Sequence, residues 1–554
     1  AYVRSKRETD EVRAERTREV EAFARKVAEL MALGSQARQL RQRALTESDD
    51  AFREHLVMLQ QYAAKGREYE HHERAVSVLE RVGECRGVSL RGKHELRALN
   101  LLVSLGVWGE HEILAVHRAR FPTSFDEATR AEAERVVAEP WEPEGWRRDL
   151  TDITCFAIDD PGTQDIDDAL SCYPRLEGGW TVGIHIADAG AWAELEGALD
   201  GAARERATSI YLPTGVLSMF PERLSMGRMS LHAGELRPAI STLVHFDAGL
   251  EVEDHEIVPS VVRISHAVTY DEVESYLNET LPSPAGVMLR DLAYIASELF
   301  HQRLNKGAVN FDIPEPKVRV RFAQDGSPRV SVHTVDPRAA SRTLVSELMI
   351  LNGALMGAFC TEHRLPVLYR GQLAPEESVS DEHFQDYPEG LSRTFAKLRR
   401  MRRGEVSTRP MRHFALGLER YVQATSPIRR YSDVVCQHQV KAHLLGRALP
   451  MSREQVEQIA WQVESTTGDA MTIERETRSY WTLYYLSQHV HDVHRGVVLD
   501  YASHRRDVAN VFLVDLGYTA RRVKLESTPE RGVEIELMVH LAEPRLEKLV
   551  LREV

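Results

Sequence analysis

The sequence has few cysteines and no long apolar segment. Its cysteines are scattered without a Cys-x-x-Cys pair, at Cys85, Cys155, Cys172, Cys360 and Cys436. This spacing argues against a disulfide framework and against a zinc knuckle, and we expect a reducing, cytoplasmic compartment. The longest apolar run, residues 344–360, is interrupted by polar residues and is shorter than a bilayer requires. We therefore expect a core helix there and no membrane span.

The chain also lacks an excess of positive charge, because 70 Lys and Arg stand against 84 Asp and Glu, a net charge of −14. Nucleic-acid binding normally requires a basic surface, so binding here would depend on local gathering of cations. Arg and Lys gather at residues 397–403, at Arg429 and Arg430, and at residues 521–524. An acidic exterior with a basic inner channel would fit a single strand threaded inwards. Each run taken alone is equally typical of a solvated face.

The densest chemical signal is the stretch 159–168, which holds five aspartates directly after an apolar run. A strand followed by the turn Pro161-Gly162 lets Asp159 fold back towards the later group Asp165, Asp167 and Asp168. Converging carboxylates repel one another by roughly 4 kcal/mol per pair at about 4 Å, a cost that a divalent cation removes. Oxygen-only ligands favour Mg²⁺ or Mn²⁺. The alternative is a solvated acidic turn, and the Asp-Gly pairing of an EF-hand is absent.

This stretch resembles the catalytic loop of the RNB family, the ribonuclease II and ribonuclease R type exoribonucleases. The family has an aspartate that ends a strand, another six positions later, and then Asp-x-Asp-Asp, which here are Asp159, Asp165, Asp167 and Asp168. Further matches follow in order: His-Ile-Ala-Asp at 185–188, Tyr-Leu-Pro at 211–213, Glu-Leu-Arg-Pro at 235–238, Gly-Ala-Val-Asn-Phe at 307–311, and Gln-Ala-Thr-Ser-Pro-Ile-Arg-Arg-Tyr-Ser-Asp at 423–433. So many ordered matches identify the central region as an RNB catalytic domain.

The resemblance implies processive 3′-to-5′ hydrolysis of single-stranded RNA to 5′-mononucleotides, with Mg²⁺ or alternatively Mn²⁺, in RNA decay and processing. It assigns the metal or metals to Asp159, Asp165 and Asp168, and it gives Asp167 the second metal site or the attacking water. Arg429 matches the arginine that reaches the scissile phosphate. Tyr211 and Phe311 match aromatics that stack on terminal bases, and Glu474 matches a glutamate near the RNA channel. Without the resemblance, such an arginine is more often structural, and a lone Tyr or Phe usually belongs to a core.

The N-terminal region departs from the family pattern. Helical spacing of apolar residues predicts two helices within residues 1–66, ending at Gly34 and Gly66. Short helical pieces separated by glycines in residues 67–146 predict a helix-turn-helix or winged-helix domain, or equally a plain helical packing domain. Bacterial RNB enzymes usually begin with two β-barrel cold-shock domains, and the alternating aromatic strands of such domains are missing before residue 125.

The pattern of the remaining sequence predicts two further domains, so we expect a multidomain α+β protein. Residues 147–490 mix strands at 180–187, 240–246 and 317–322 with helices at 340–362 and 453–486, which indicates a mixed α/β catalytic domain. Residues 491–554 alternate apolar and polar residues at 496–501, 508–514, 521–525 and 533–539. This alternation predicts a small β-barrel. The barrel resembles the OB-fold RNA-binding domain at the C-terminus of most family members.

Two other function classes stay open on the sequence. A non-catalytic RNA-binding or regulatory protein could keep the domains without the chemistry, although all four carboxylates and Arg429 are present. A DNA exonuclease would need a site indifferent to the ribose 2′-OH. We expect single-stranded RNA as the partner, no membrane, no obligate protein partner and a monomer.

Overall fold

The computed structural model describes residues 2–33, 43, 45–85, 90, 92–502 and 505–554, without the side chains of residues 2–10 and 506. Backbone contacts divide the chain into two compact units, Ala1–Pro122 and Thr123–Val554. The predicted stop at Gly34 lies outside the described residues. Each unit has its own buried apolar clusters.

The first unit is helical, and its described part contains no strand. Its helices are α1 (Tyr2–Ala32), α2 (Asp50–Lys65), α3 (His72–Gly83), α4 (His94–Leu105) and α5 (Leu114–Ala119). Asp49 begins α2 by accepting a hydrogen bond from the Phe52 N–H at 2.8 Å, and Gly66 ends it with a φ of 57°. The predicted helix end at Gly66 is therefore confirmed. Apolar residues at helical spacing, such as Phe23, Val27 and Leu59, form the core.

The second unit begins with α6 (Glu127–Ala138) and is built around a sheet of seven strands. The strands are β1 (Arg148–Asp149), β2 (Phe156–Asp159), β3 (Asp168–Pro174), β4 (Trp180–Ala187), β7 (Leu236–Phe246), β8 (Val252–Arg263) and β9 (His266–Thr269). Their order is β1-β8-β7-β4-β3-β2-β9. Neighbouring strands are antiparallel except for the two edge pairs, β1 with β8 and β2 with β9. Because β2 and β9 are parallel, their carboxyl ends lie side by side.

Helices cover both faces of this sheet, as the alternation of its side chains requires. Large residues such as Phe156 and Ile184 face α8 (Tyr270–Leu277), α9 (Pro284–Asn305) and α10 (Ala340–Glu362). Small residues such as Ala157 and Ala187 face α7 (Ala198–Arg206), α12 (Tyr431–Leu444) and α13 (Arg453–Gln488). Helix α10 is long and apolar enough to cross a membrane by length and composition, but half of its most apolar window is buried. It packs in the core as predicted.

Two hairpins, a further pair of short antiparallel strands and one helix complete the described part of the catalytic region. The hairpins pair β5 (Ile210–Leu212) with β6 (Gly215–Leu217) and β10 (Glu315–Phe322) with β11 (Pro328–Val335), and the further pair is β12 (Tyr369–Gly371) with β13 (Glu405–Ser407). The helix is α11 (Leu391–Arg400). The β5–β6 hairpin matters most here because it carries Tyr211.

The C-terminal strands form a five-stranded antiparallel barrel that is nearly closed, which confirms the predicted OB-like fold. The strands are β14 (Val493–Ala502), β15 (Arg505–Leu513), β16 (Tyr518–Lys524), β17 (Glu534–Glu543) and β18 (Lys548–Glu553), in the order β16-β15-β14-β17-β18. The sequence indicated the first four. Strand β18 was missed because it is short and Leu551 is its single fully buried residue, so its alternation is weak.

Candidate active site

The aspartate loop connects two neighbouring strands of the central sheet. Strand β2 ends at Asp159, and β3 begins at Asp168. Between them, Gly162 turns the chain with a φ of 88°, a conformation that favours glycine. Ser230 fixes the returning half, because its hydroxyl accepts from the Ile166 N–H at 2.9 Å and donates to the Gln164 carbonyl at 2.7 Å. The loop therefore presents its carboxylates at one edge of the sheet.

Asp167 is the most firmly held of these carboxylates. Its carbonyl accepts from the Ala187 N–H at 2.8 Å, and its carboxylate accepts from the Ile428 N–H at 2.8 Å. The second carboxylate oxygen lies 3.4 Å from Nε of Arg429, and the side chain is 5% exposed. Burial raises the pKa of Asp167 well above its usual range, while Arg429 opposes that rise. Asp167 thus joins the aspartate loop to the arginine segment.

Asp168 and Asp159 are half-buried carboxylates, and the charge of Asp159 acts on Asp168. Burial raises the pKa of Asp168 to about 7, and the charge of Asp159 adds to that rise. Burial also raises the pKa of Asp159, with smaller contributions from Asp165 and Asp160. Within the described part of the chain, no hydrogen bond reaches the Asp168 carboxylate. The Asp160 N–H, which donates to Asp159 at 3.0 Å, and the charges of Arg429 and Arg430 near Asp168 lower these pKa values only in part, so both remain raised.

Tyr211 connects the same loop to the long helix α13. Its hydroxyl donates to Oδ2 of Asp165, and its backbone N–H donates to Oε1 of Glu474 at 2.8 Å. Burial and the charge of Asp165 raise the pKa of Tyr211, so the phenol stays protonated and remains a donor. The residue is still 39% exposed, which leaves part of the ring available to a ligand.

The arginine segment is bonded to the strand that leads to Tyr211. The Arg429 carbonyl accepts from the Ser209 N–H and from Oγ1 of Thr208, both at 3.0 Å. Asp433 braces the segment by accepting from the Ser426 N–H at 2.8 Å and from Nη2 of Arg430 at 2.7 Å. The Arg429 side chain is 42% exposed. A fixed backbone and an exposed guanidinium suit an arginine that binds an anionic ligand.

The comparison with protein families agrees with this geometry. A family model described as the RNB domain matches residues 147–446, more than half of the chain. The chain belongs to the RNB family. A second model, described as a double HTH domain, matches residues 3–114, which confirms the helix-turn-helix prediction for the N-terminal region. The domain boundaries predicted after residues 66, 146 and 490 stay predictions.

Several proteins resemble this RNB chain over most of its length. An uncharacterised ribonuclease of Synechocystis is 35% identical, over 88% of this chain and 71% of its own length. The chloroplastic/mitochondrial ribonuclease II of Arabidopsis thaliana is 32% identical, over 83% of this chain and 57% of its own length. The structure of an active-site mutant of the Dss1 exoribonuclease from Candida glabrata matches 97% of this chain and 70% of its own, with a TM-score of 0.75 at 22% identity. That last likeness shows a shared fold.

The structure tests whether the carboxylates of this RNB protein suit a divalent cation. Among the described residues, no group of three or more His, Cys, Asp or Glu side chains has metal-holding geometry. The donor set nevertheless fits Mg²⁺, because Asp159 and Asp168 are half-buried carboxylates with raised pKa values, and the charge of Asp159 contributes to the rise at Asp168. Asp165 and Asp167 already bond to Tyr211 and Ile428. We conclude that the ligand chemistry is present and that cation binding would draw the ligands together.

The fifth aspartate of the loop is not available to a metal. Asp160 accepts from Nη2 of Arg342 at 2.7 Å and from Nζ of Lys317 at 2.9 Å. Both ion pairs lower its pKa against the effect of burial. Asp160 was not among the predicted site residues, and its ion pairs explain why it would not bind a metal.

Tyr270 is a site neighbour that the sequence analysis missed. It follows Thr269, which pairs with Asp159 across the parallel strands β2 and β9. Burial raises the pKa of Tyr270, and the charges of Asp168 and Asp159 add to the rise. The Thr269–Glu272 capping box predicts a helix start here, but strand pairing alone brings that start beside Asp159.

Two predictions about RNA binding, the stacking role of Phe311 and the basic run 397–403, lack supporting contacts among the described residues. Phe311 is half-buried in the segment after α9. Among the described residues it makes no ring contact with Tyr211 and no hydrogen bond with the aspartates, so its stacking role stays a prediction. The basic run 397–403 is largely neutralised by carboxylates: Lys397 by Asp381, Arg399 by Asp500, Arg400 by Glu377, and Arg402 by Glu376. These ion pairs offset part of the positive charge of the run, and its place along a basic channel stays a prediction.

Proposed function

We propose that this RNB protein is a processive 3′-to-5′ exoribonuclease that hydrolyses single-stranded RNA to 5′-mononucleotides with Mg²⁺, in RNA decay and processing. The observation that carries the proposal is the meeting of the aspartate loop, Arg429 and Tyr211 in one hydrogen-bonded cluster. The names of its relatives, ribonuclease II among them, support the same activity. A cytoplasmic location and a monomeric state belong to the proposal as predictions.

Arg429 binds the scissile phosphate in this proposal, and Asp167 orients it. One Asp167 oxygen is occupied by the Ile428 N–H, so the other is held towards Nε of Arg429. The guanidinium keeps further N–H donors that can bind phosphate oxygens in a planar, forked arrangement. A donor held in place before the reaction stabilises the charge that develops on the phosphate oxygens at little reorganisation cost.

Asp159, Asp165 and Asp168 would hold the divalent cation. When bound, such an ion polarises the phosphate and lowers the pKa of a water nucleophile. Tyr211 contributes by fixing Asp165 through its hydroxyl, so the orientation of that carboxylate does not depend on the ion alone. Asp167 lies beside this group with one oxygen 3.4 Å from Nε of Arg429, a position that suits it to orient the attacking water.

Tyr211 and Phe311 stack on terminal bases in this proposal, and Glu474 supports Tyr211. The ring of Tyr211 is partly exposed, and its backbone is anchored by the Glu474 carboxylate. Stacking on an aromatic ring contributes about 1–3 kcal/mol per base and tolerates any sequence. This tolerance suits an enzyme that advances along a strand one nucleotide at a time.

The test is digestion of 5′-labelled, unstructured RNA with Mg²⁺, with Mn²⁺ and with excess EDTA. We expect stepwise shortening from the 3′ end with release of mononucleotides, and no shortening in EDTA. RNA labelled at the 3′ end should release its label at once, which separates exonucleolytic from internal cleavage. Internal cuts, or equal rates with and without EDTA, would remove the proposal.

A further inference from the structure

Charge is distributed unevenly between the two units of the chain. Residues 1–122 contain 22 Lys and Arg against 19 Asp and Glu, whereas residues 123–554 contain 48 against 65. The N-terminal unit is therefore net positive by 3, and the remainder is net negative by 17. A local positive charge in an acidic protein is the distribution expected where a polyanion binds.

A cavity of about 790 Å³ opens in this positive unit. Its polar lining includes Tyr62, Arg67, His72, Lys93, His94 and Arg97. Glu95 is the one acidic residue of the lining. Its single charge leaves the three permanent cations of the lining in excess. The cavity is thus a positively charged site within the double HTH match.

Two of these cations have no partner among the side chains that the structure describes. Among the described residues, the side chains of Arg67 and Lys93 make no hydrogen bond and no ion pair. Elsewhere in the same unit, Arg81 bonds to Glu84 at 2.6 Å and to Glu21 at 2.9 Å. The unit therefore neutralises a cation away from the cavity and leaves the cations at the cavity free for an external anion.

Two helix beginnings face the same cavity. His72 is the first residue of α3, and His94 is the first residue of α4, each a helix of 12 residues. Neither preceding residue, His71 or Lys93, caps its helix through a side-chain hydrogen bond. The N–H groups of both first turns therefore add positive potential to the site.

Tyr62 adds a neutral hydrogen-bond donor to the cavity. The residue is 2% exposed, lines the cavity, and makes no hydrogen bond through its hydroxyl among the described residues. The hydroxyl is the part of the side chain that reaches the solvent of the cavity. Burial raises the pKa of Tyr62, with a further contribution from Glu95, so the hydroxyl stays protonated and a phosphate oxygen in the cavity could accept from it.

We propose that this cavity binds backbone phosphates of single-stranded RNA, as a contact additional to those of the active site. The identity of the strand as RNA rests on the proposed function. The cations are spread over a cavity much larger than one phosphate group, which suits consecutive phosphodiesters better than a single small anion. The N-terminal unit thereby supplies the positive charge that the acidic second unit lacks.

The test compares two charge-matched double variants. Arg67→Gln with Lys93→Gln removes the free cations of the cavity, and Arg13→Gln with Arg25→Gln removes two exposed cations of α1 that do not line it. Binding of a labelled 24-nucleotide oligo(U) is titrated by fluorescence anisotropy in EDTA at several salt concentrations. We expect the cavity variant to bind about tenfold more weakly and to lower the slope of log K against log salt by about 1.4, the contribution of two phosphate contacts.

The α1 variant should stay within about twofold of the wild type at every salt concentration, because diffuse surface charge adds little specific contact. A third variant, Tyr62→Phe, removes one hydroxyl and should weaken binding by about fivefold without changing the salt slope. Thermal unfolding of each variant checks that the unit stays folded. Equal losses in both double variants, or no loss in the cavity variant, would overturn the proposal.

Competition with 5′-AMP identifies the occupant. We expect AMP to displace the oligonucleotide equally from the wild type and from the cavity variant. If AMP instead displaces it more readily from the wild type, the intact cavity holds a free nucleotide, and the strand proposal is overturned. Digestion of the same oligonucleotide with Mg²⁺ is measured in parallel. Wild-type protein that binds RNA through the cavity without digesting it would contradict the proposed function and leave the cavity proposal standing.

Discussion

Asp188 and Asp168 lie at strand ends of one sheet, the first buried and the second half-buried, and their surroundings are opposite. Asp188 accepts from Nη2 of Arg147 at 2.8 Å and from Nζ of Lys441 at 2.7 Å. Burial alone would raise the pKa of Asp188, but Lys441 and Arg147 hold it at about 2. Among the described residues no cation bonds to Asp168, and burial with the charge of Asp159 raises its pKa to about 7 although Arg429 and Arg430 oppose the rise.

The difference separates a structural carboxylate from a functional one. Asp188 has its cations built in, so it joins β4 to α12 and to the chain before β1 whether or not a ligand is bound. At Asp168, Arg429 and Arg430 offset only part of the effect of burial and of Asp159, so an added cation or a proton would relieve the repulsion that remains. Carboxylates with perturbed pKa values are typical of active sites. Ion pairs to built-in cations therefore distinguish the structural carboxylate from the functional one.

Removing the charge of Asp188 should have the largest effect on stability. Asp188→Asn leaves Arg147 and Lys441 beside a neutral amide in the interior, and we expect a loss of about 3–5 kcal/mol in the free energy of unfolding. Urea denaturation at pH 7 measures it. The control is Asp325→Asn at an exposed turn, which should change stability by less than about 0.5 kcal/mol. A loss below about 1 kcal/mol at Asp188 would show that its ion pairs are not structural.

Removing the charge of Asp167 should abolish catalysis with little effect on binding. The amide oxygen of Asp167→Asn can still accept from the Ile428 N–H, but the charge beside Arg429 is lost. We expect the rate to fall on the order of 10²–10³, because a preorganised electrostatic contact is lost. Single-turnover digestion beside a filter-binding titration on the same RNA separates the two effects. Near wild-type cleavage, or loss of binding in parallel with cleavage, would contradict the role of Asp167.

Local sequence patterns predicted the elements well but could not distinguish these two aspartates. The helix 340–362 and the strand 180–187 appear with the predicted bounds, because periodicity is a local property. The partners of Asp188 are 41 and 253 residues away in the chain. No local pattern reports such pairing, so neutralisation of a charge is visible only in the fold.

Partners that are distant in the chain also explain the other differences between the sequence-based predictions and the structure. The basic run 397–403 reads as free positive charge, but Asp500, which neutralises Arg399, lies 101 residues away in β14. Tyr211 and Glu474 were singled out only through the family resemblance, and their hydrogen bond joins residues 263 positions apart. Phe311 has the same kind of motif support but no described contact with the cluster. A motif match therefore selects residues without giving their geometry.

His185 extends the comparison to a buried base without a counter-charge. Its ring nitrogens bond to Ser241 at 2.8 Å and to Ser171 at 3.0 Å, and burial lowers its pKa to about 4. As the pH falls below about 6.5, His185 becomes protonated in the unfolded chain, but in the folded protein it stays neutral until about pH 4. The free energy of unfolding therefore falls by about 3 kcal/mol as the pH falls through this window. Below that window His185 adds no further loss.

The measurement is the free energy of unfolding from urea titrations at several pH values between 4 and 8. In His185→Gln the slope between about pH 6.5 and pH 4 should be smaller by about 1.4 kcal/mol per pH unit, because one titrating group is gone. The absolute stability of the variant is not the readout, since the glutamine also changes packing. An unchanged slope would mean that His185 does not stay neutral in the folded protein.

Tyr211 allows the two contributions of one side chain to be separated. Tyr211→Phe loses the hydrogen bond to Asp165 and keeps the ring, whereas Tyr211→Ala also loses the ring. Base stacking contributes about 1–3 kcal/mol, so Tyr211→Ala should end digestion at a longer product, while Tyr211→Phe should slow digestion and keep the end product. Sequencing gels of exhaustive digests measure this. The same end product in all three proteins would exclude a stacking role.

The smallest effect concerns Asp168 itself, and its sign is opposite to that at Asp188. At pH 8 in EDTA, Asp168→Asn removes a half-buried charge that the charge of Asp159 destabilises, so the metal-free protein should gain about 1 kcal/mol in the free energy of unfolding. This gain is smaller than the rise of the pKa to about 7 alone would give, because solvent screens a half-buried charge and the amide keeps part of the desolvation cost. Adding Mg²⁺ should stabilise the wild type, because the cation binds the folded state, and should stabilise the variant much less. Asp325→Asn, which leaves the site intact, should respond to Mg²⁺ as the wild type does. If Asp168→Asn instead destabilises the metal-free protein as Asp188→Asn does, Asp168 has a compensating partner and is a structural carboxylate. If Mg²⁺ stabilises both proteins equally, the ion binds without Asp168.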